Sequence, residues 1–189
     1  MNIKLGALAL SAALCLSFVN AQSHQGGRGV DTLSASATFN LGDGAPEIGV
    51  VYCEDPAGLR NIGELRAYGS EVASMGLVNL VATGLPANSI GFFIVGETRG
   101  FVPNPANSQG DLCIGGKIGR FNGPNQIQNS GPSGFYNLDL DLDQFPMNPN
   151  WAVLAGETWC FQSWYRLPLP VVADNSDSDF TNAVEILFQ

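Results

Sequence analysis

Read by the period of its apolar positions, the chain is a series of short strands. "LVNLVATGLP" sets Leu77, Asn79 and Val81 against Val78, Leu80 and Ala82, and stops at Gly84 and Pro86. "SIGFFIVGE" is the most apolar run, and "IGVVYC" is shorter. "DLCIGGKIGRF" predicts two short strands around a Gly-Gly turn, or one bulged strand. "FYNLDLDLDQF" alternates cleanly, Leu138, Leu140 and Leu142 on one side and Asp139, Asp141 and Asp143 on the other. "WAVLAGETWCFQSWYR" and the closing "AVEILFQ" complete the set, and "SASATFN" predicts a further strand near the N-terminus. "EDPAGLRNIGELRAYGS" reads as loop, with at most a short turn of helix. No segment sustains a helical period, and turn signals recur at roughly eight- to twelve-residue spacing. The expected fold class is all-β: an antiparallel β-sandwich of jelly-roll or immunoglobulin-like type.

The first residues change the picture only by removing themselves from it. Lys4, the apolar run Leu5 to Val19, and the small residues Val19 and Ala21 predict a secretory signal peptide over 1–21. A lipoprotein reading of Cys15 is weaker, because Leu14 stands where a small residue is required. Residues 22–32, rich in Gly and polar residues, predict a flexible arm, and 33–189 a single sandwich domain. No later apolar stretch is long enough to span a bilayer, so the expected product is secreted, to the extracellular space or cell surface, without membrane insertion. The net charge of −9 leaves no basic stripe for phosphates, which argues against nucleic acid.

Cleavage leaves Cys53, Cys113 and Cys160, one bridge and one thiol or no bridge at all. Cys113 and Cys160 both lie in apolar runs that could meet across a core, so they are the expected pair. The other reading is three small buried hydrophobes.

Five pieces in order, "YC", "LVNLVATGLPANSIGFFIVG", "GDLCIGGKIGRF", "AGETWCFQSWYR" and "SDFTNAVEILF", resemble a secreted C-terminal module of planctomycete-type bacterial proteins over roughly residues 51–188. That module carries the patterns LCxGGxIGR, GETWxFQxWYR and SNFTNAV. The resemblance implies export and a β-sandwich; no enzyme activity, cofactor or catalytic residue comes with it. The chain departs from the pattern at Leu167, where the module usually has Asp.

In "GETWCFQSWYR" strand alternation puts Trp159, Phe161, Ser163 and Tyr165 on one face and Cys160, Gln162, Trp164 and Arg166 on the other. Aromatics on both faces predict a strand buried on both sides. The functional reading makes Trp164 a stacking ring for a sugar, with Arg166 and Gln162 as hydrogen-bond donors. The loop "ADNSDSDFTN" offers Asp174, Asp177 and Asp179 as calcium ligands, although it lacks the EF-hand order. Asp139, Asp141 and Asp143 are a solvated strand face or a weaker cation site. Glu97 and Glu157, in two Gly-Glu-Thr echoes, are the one carboxylate pair to offer for glycosidase chemistry. No nucleophile elbow or phosphate loop is present, and His24 lies in the arm.

The function expected is that of an exported, non-enzymatic structural or binding module presenting loops 101–110 and 122–134 to an extracellular glycan or envelope component. The competing expectations are a calcium-dependent carbohydrate-binding module, self-association through terminal strands at exposed sheet edges, and a jelly-roll glycan-processing enzyme.

Overall fold

The computed structural model describes residues 44–168 and 177–189. The expected signal peptide, arm and "SASATFN" strand, and residues 173–176 of the acidic loop, Asp174 among them, lie outside them.

The described residues form ten strands in two antiparallel sheets packed face to face. They are β1 (Glu47–Ile48), β2 (Val50–Tyr52), β3 (Glu64–Gly69), β4 (Val78–Thr83), β5 (Ile90–Val102), β6 (Leu112–Arg120), β7 (Gln128–Asn129), β8 (Tyr136–Asp139), β9 (Thr158–Arg166) and β10 (Ser178–Leu187). One sheet has the order β1-β3-β4-β8; the other runs β2-β10-β9-β5-β6, with β7 paired to β5. The expected all-β sandwich is what the chain forms.

The period-two pattern explains which side chains fill the space between the sheets. Leu65 and Ala67 of β3, and Val78, Leu80 and Ala82 of β4, meet Phe93 and Val95 of β5, Trp159, Phe161 and Tyr165 of β9, and Val184 and Ile186 of β10. Phe145 sits edge-on to Phe121, Trp159 and Phe161, with ring centroids 5.9, 5.2 and 5.8 Å away.

A second, smaller cluster lies on the opposite, outer face of the six-stranded sheet and holds Ile94, Cys113, Ile114, Cys160, Phe180 and Ala183. Its cover comes from the far end of the β5–β6 hairpin. Arg99 pairs with Glu185 and sits 4.5 Å over the Tyr52 ring, while the Tyr52 hydroxyl donates to the Cys113 carbonyl at 3.0 Å. Strand β9 is therefore buried on both sides, as its aromatics predict.

Several local expectations are corrected. The loop-like stretch 54–70 contains β3, whose charged Glu64 and Arg66 hide an alternation that buries Leu65 and Ala67. "IGVVYC" is broken at Gly49, where φ is +78° and an added Cβ would stand 2.7 Å from the Glu185 carbonyl. The two halves consequently join different sheets. "FYNLDLDLDQF" is a strand only to Asp139. Beyond it the chain turns, with the Asp141 carboxylate accepting from the Asp143 amide at 3.0 Å, so the three aspartates share no strand face.

The expected bridge is overturned as well. Cys113 is bonded to Cys53, with Cα atoms 6.2 Å apart, and Cys160 is a buried free thiol. The reason is placement along β9: the Cys113 amide donates to the Gln162 side chain at 2.9 Å, which seats Cys113 over Gln162 and not over Cys160. Burial pushes the Cys160 thiol up from its ordinary range. The C-terminal strand β10 is not an edge either. It lies between β9 and β2, which pairs with its residues Ala183, Val184 and Glu185.

Candidate functional site

The residues expected to recognise a ligand separate into two groups. Gln162 is wholly buried. Its amide donates to the Asp111 and Thr181 carbonyls at 3.0 and 2.8 Å, and its oxygen accepts from Cys113. Register slips between Phe180 and Ala183, a bulge that takes the Thr181 carbonyl out of the regular ladder. Gln162 and Asn61 both donate to that carbonyl, and together they tie residues 61 and 111 onto the outer face of β9 and β10. Gln162 is therefore a fastening residue and not a ligand donor.

Asp179 belongs to the same buried seam. One carboxylate oxygen accepts from the Phe180 amide at 2.7 Å and the other from the Tyr165 hydroxyl at 2.9 Å. Gly110 leaves room for it: a Cβ there would lie 2.0 Å from the Asp179 Oδ1. Burial raises the Asp179 carboxyl above the usual carboxylate range and pushes the Tyr165 hydroxyl up. Asp177, in contrast, is exposed and ion-paired to Arg166. The two aspartates thus serve different partners. Among the described residues no cluster of three or more Asp, Glu, His or Cys could hold a metal ion.

Glu97 and Glu157 each have local partners. Glu97 accepts from the Lys117 amide at 3.1 Å and faces its ammonium at 3.8 Å. Glu157 accepts from two indoles, Trp151 at 3.2 Å and Trp159 at 3.1 Å, and from the Leu154 amide at 3.0 Å.

Trp164 and Arg166 do come together. In the register of the six-stranded sheet, Phe92 of β5, Trp164 of β9 and Phe180 of β10 stand side by side on the outer face. The Phe92 and Trp164 rings are 5.0 Å apart and tilted by 36°, and the Arg166 guanidinium lies 5.4 Å from the Trp164 centroid. The Asp177 carboxylate pins Arg166 in that position. Ile94, Leu112 and Arg120 continue the surface, and Pro105 and Ala106 wall it, around a groove of about 200 Å³. Sequence alternation located Trp164 and Arg166. Phe92, Phe180 and Arg120 join them only through strand register.

A larger cleft of about 620 Å³ opens beside the disulfide, between Tyr52, Arg60, Arg99, Phe101 and Asp111. Its charges are already matched internally: Arg60 with Asp111 at 3.3 Å, Arg99 with Glu185. Asp55 on its rim accepts from the amides of Ala57, Leu59 and Arg60, and these bonds, Ala57's foremost, hold its carboxyl below the usual range. Among the described residues no helix is long and apolar enough to cross a membrane. Compared with known proteins, the chain matches no family model, no curated protein and no solved structure.

Proposed function

We propose that this chain is an exported, non-catalytic binding module for an extracellular or envelope glycan, held on the outer face of its six-stranded sheet. The observation that carries the reading is the half-buried pair Phe92–Trp164, backed by the buried Phe180, with the Arg166 guanidinium 5.4 Å from the Trp164 centroid. Aromatic rings offer an apolar surface to the C–H face of a sugar, and Arg120 and Arg166 supply forked donors for its hydroxyls. The groove is smaller than the roughly 300–1,000 Å³ typical of sites that engulf a small ligand. It suits shallow contact with part of a long chain. Glu97 and Glu157 each have local structural partners, which supports recognition over hydrolysis.

The test is retention of residues 22–189 on insoluble polysaccharides, with calcium and with chelator. Trp164→Ala should weaken retention ~10-fold or more, the scale of losing a central aromatic anchor. Retention in chelator supports the aromatic row acting alone, whereas retention lost with chelator supports the calcium-dependent form. If Trp164→Ala binds as the parent does on every glycan retained, the site assignment is wrong.

A further inference from the structure

We infer that the outer face of the other, four-stranded sheet is a second saccharide-binding site. Alternation on β3, β4 and β8 sends Leu65, Ala67, Val78, Leu80, Ala82 and Tyr136 into the core, so the intervening residues face outward. Register then lines up Glu47, Tyr68, Asn79 and Asp139, one from each strand, in a polar row across the full width of the sheet. At the usual strand spacing that row is roughly 14 Å long.

One atom in it is out of keeping with a finished surface. Asn79 is 1% exposed, and its Nδ2 donates to Asp139 at 2.6 Å, yet its Oδ1 has no hydrogen-bond partner. Among the described residues it is the one buried side-chain oxygen or nitrogen left so. The bond to Asp139 settles which branch of the amide is nitrogen, so the open atom is an acceptor. Buried acceptors are almost always matched, so this one is a place where a donor from outside the protein, a water or a ligand hydroxyl, completes the count. The neighbours specify what that donor belongs to. Asp139 is exposed and keeps a second carboxylate oxygen as a further acceptor. Tyr68, half-buried, presents an aromatic ring beside Asn79, and its hydroxyl bonds to no described residue. Arg66 and Asn137 flank the row as donors, Arg66 steered by Glu47, Glu54 and Glu64. Paired acceptors beside an aromatic ring, with donors at the margin, are the complement of vicinal hydroxyls on a ring with an apolar face.

This site does not depend on the aromatic groove, which lies on the far side of the sandwich. Titration of ¹⁵N-labelled chain with cello-, chito- and galacto-oligosaccharides separates the two. Saturable shifts at the amides of Tyr68, Asn79 and Asp139 support the inference. Shifts confined to 92–94, 118–120 and 164–166 overturn it while leaving the groove standing, and shifts at neither face overturn both. Asn79→Leu should melt at or above the parent temperature, because it removes an unmatched polar atom, and should weaken binding at this face at least ~10-fold. Tyr68→Ala, a half-buried change, should weaken it similarly with the fold intact. Parent-like affinity in both variants, or an Asn79→Leu chain that melts well below the parent, assigns Asn79 a structural role and overturns the site.

Discussion

The side-chain amides of Asn61 and Gln162 donate to the same two carbonyl oxygens, those of Asp111 and Thr181, each within 2.8–3.0 Å. Each also accepts one amide: Asn61 from Asp111, Gln162 from Cys113. Two amides thus close the bulge in β10 and anchor the covering loops, one partly insuring the other. Gln162→Leu or Asn61→Leu should each cost about 1–3 kcal/mol, chiefly for the orphaned N–H. The double variant should lose more than the sum, because only then do both carbonyls lose every side-chain donor. Urea unfolding in a double-mutant cycle measures this, and strict additivity would refute the shared role.

The disulfide makes a second prediction. Cys53 and Cys113 are 60 positions apart, and a cross-link of that span restricts the unfolded chain by about 4 kcal/mol in the loop-entropy account. Cys113→Ser should lower stability by ~2–5 kcal/mol. Cys160→Ala removes no bridge and should cost less. Non-reducing peptide mapping should join the peptides of Cys53 and Cys113, and alkylation should reach Cys160 only in denaturant; a Cys113–Cys160 peptide would disprove the pairing.

Asp179 should give stability a slope with pH. Its folded pKa is raised by burial above the ordinary carboxylate value of about 3.9. Between the two values the folded chain holds more proton than the unfolded chain, so this group favours folding less as pH rises through that window. Asp179→Asn should destabilise, since an amide NH₂ would face the Tyr165 and Phe180 donors. Its deficit against the parent should shrink from about pH 3 toward neutrality. A deficit that grows over that range would contradict the direction of the shift.

Gly110→Ala tests the same seam by steric means. The added Cβ falls 2.0 Å from the Asp179 carboxylate, which is buried and cannot swing to solvent. A loss of roughly 1–3 kcal/mol is expected, as for other overpacked sites. A melting temperature equal to the parent's would mean that the loop carrying Gly110 is free to lift.

Trp164 and Gln162 show how far the sequence could be read. Both fall on one face of "GETWCFQSWYR", and alternation alone gives them equal standing as ligand contacts. They differ because Asp111 and Cys113 bond directly to the Gln162 amide and bury it, while Trp164 stays half-buried beside the groove. In the same way, the "ADNSDSDFTN" stretch reads as acidic ligand chemistry. Asp179, Thr181 and Asn182 in fact serve the bulge and the sheet-to-sheet tie, Asn182 bonding both backbone groups of Leu65 at 2.6 and 3.1 Å. No local signal separates a buried Asp from an exposed one.

What the sequence determined by itself was the all-β class, most strand positions, and which residues share a face of each strand. Those follow from a two-residue period, which is a property of neighbouring residues. The tertiary structure decided how strands were allotted to sheets, the Cys53–Cys113 pairing, and the alignment of Phe92 with Trp164 and Phe180 and of Tyr68 with Asn79 and Asp139. Those relations join residues far apart in the chain. Register between distant strands is set by which side chains fill the shared core, so it exists only once the whole sandwich has closed.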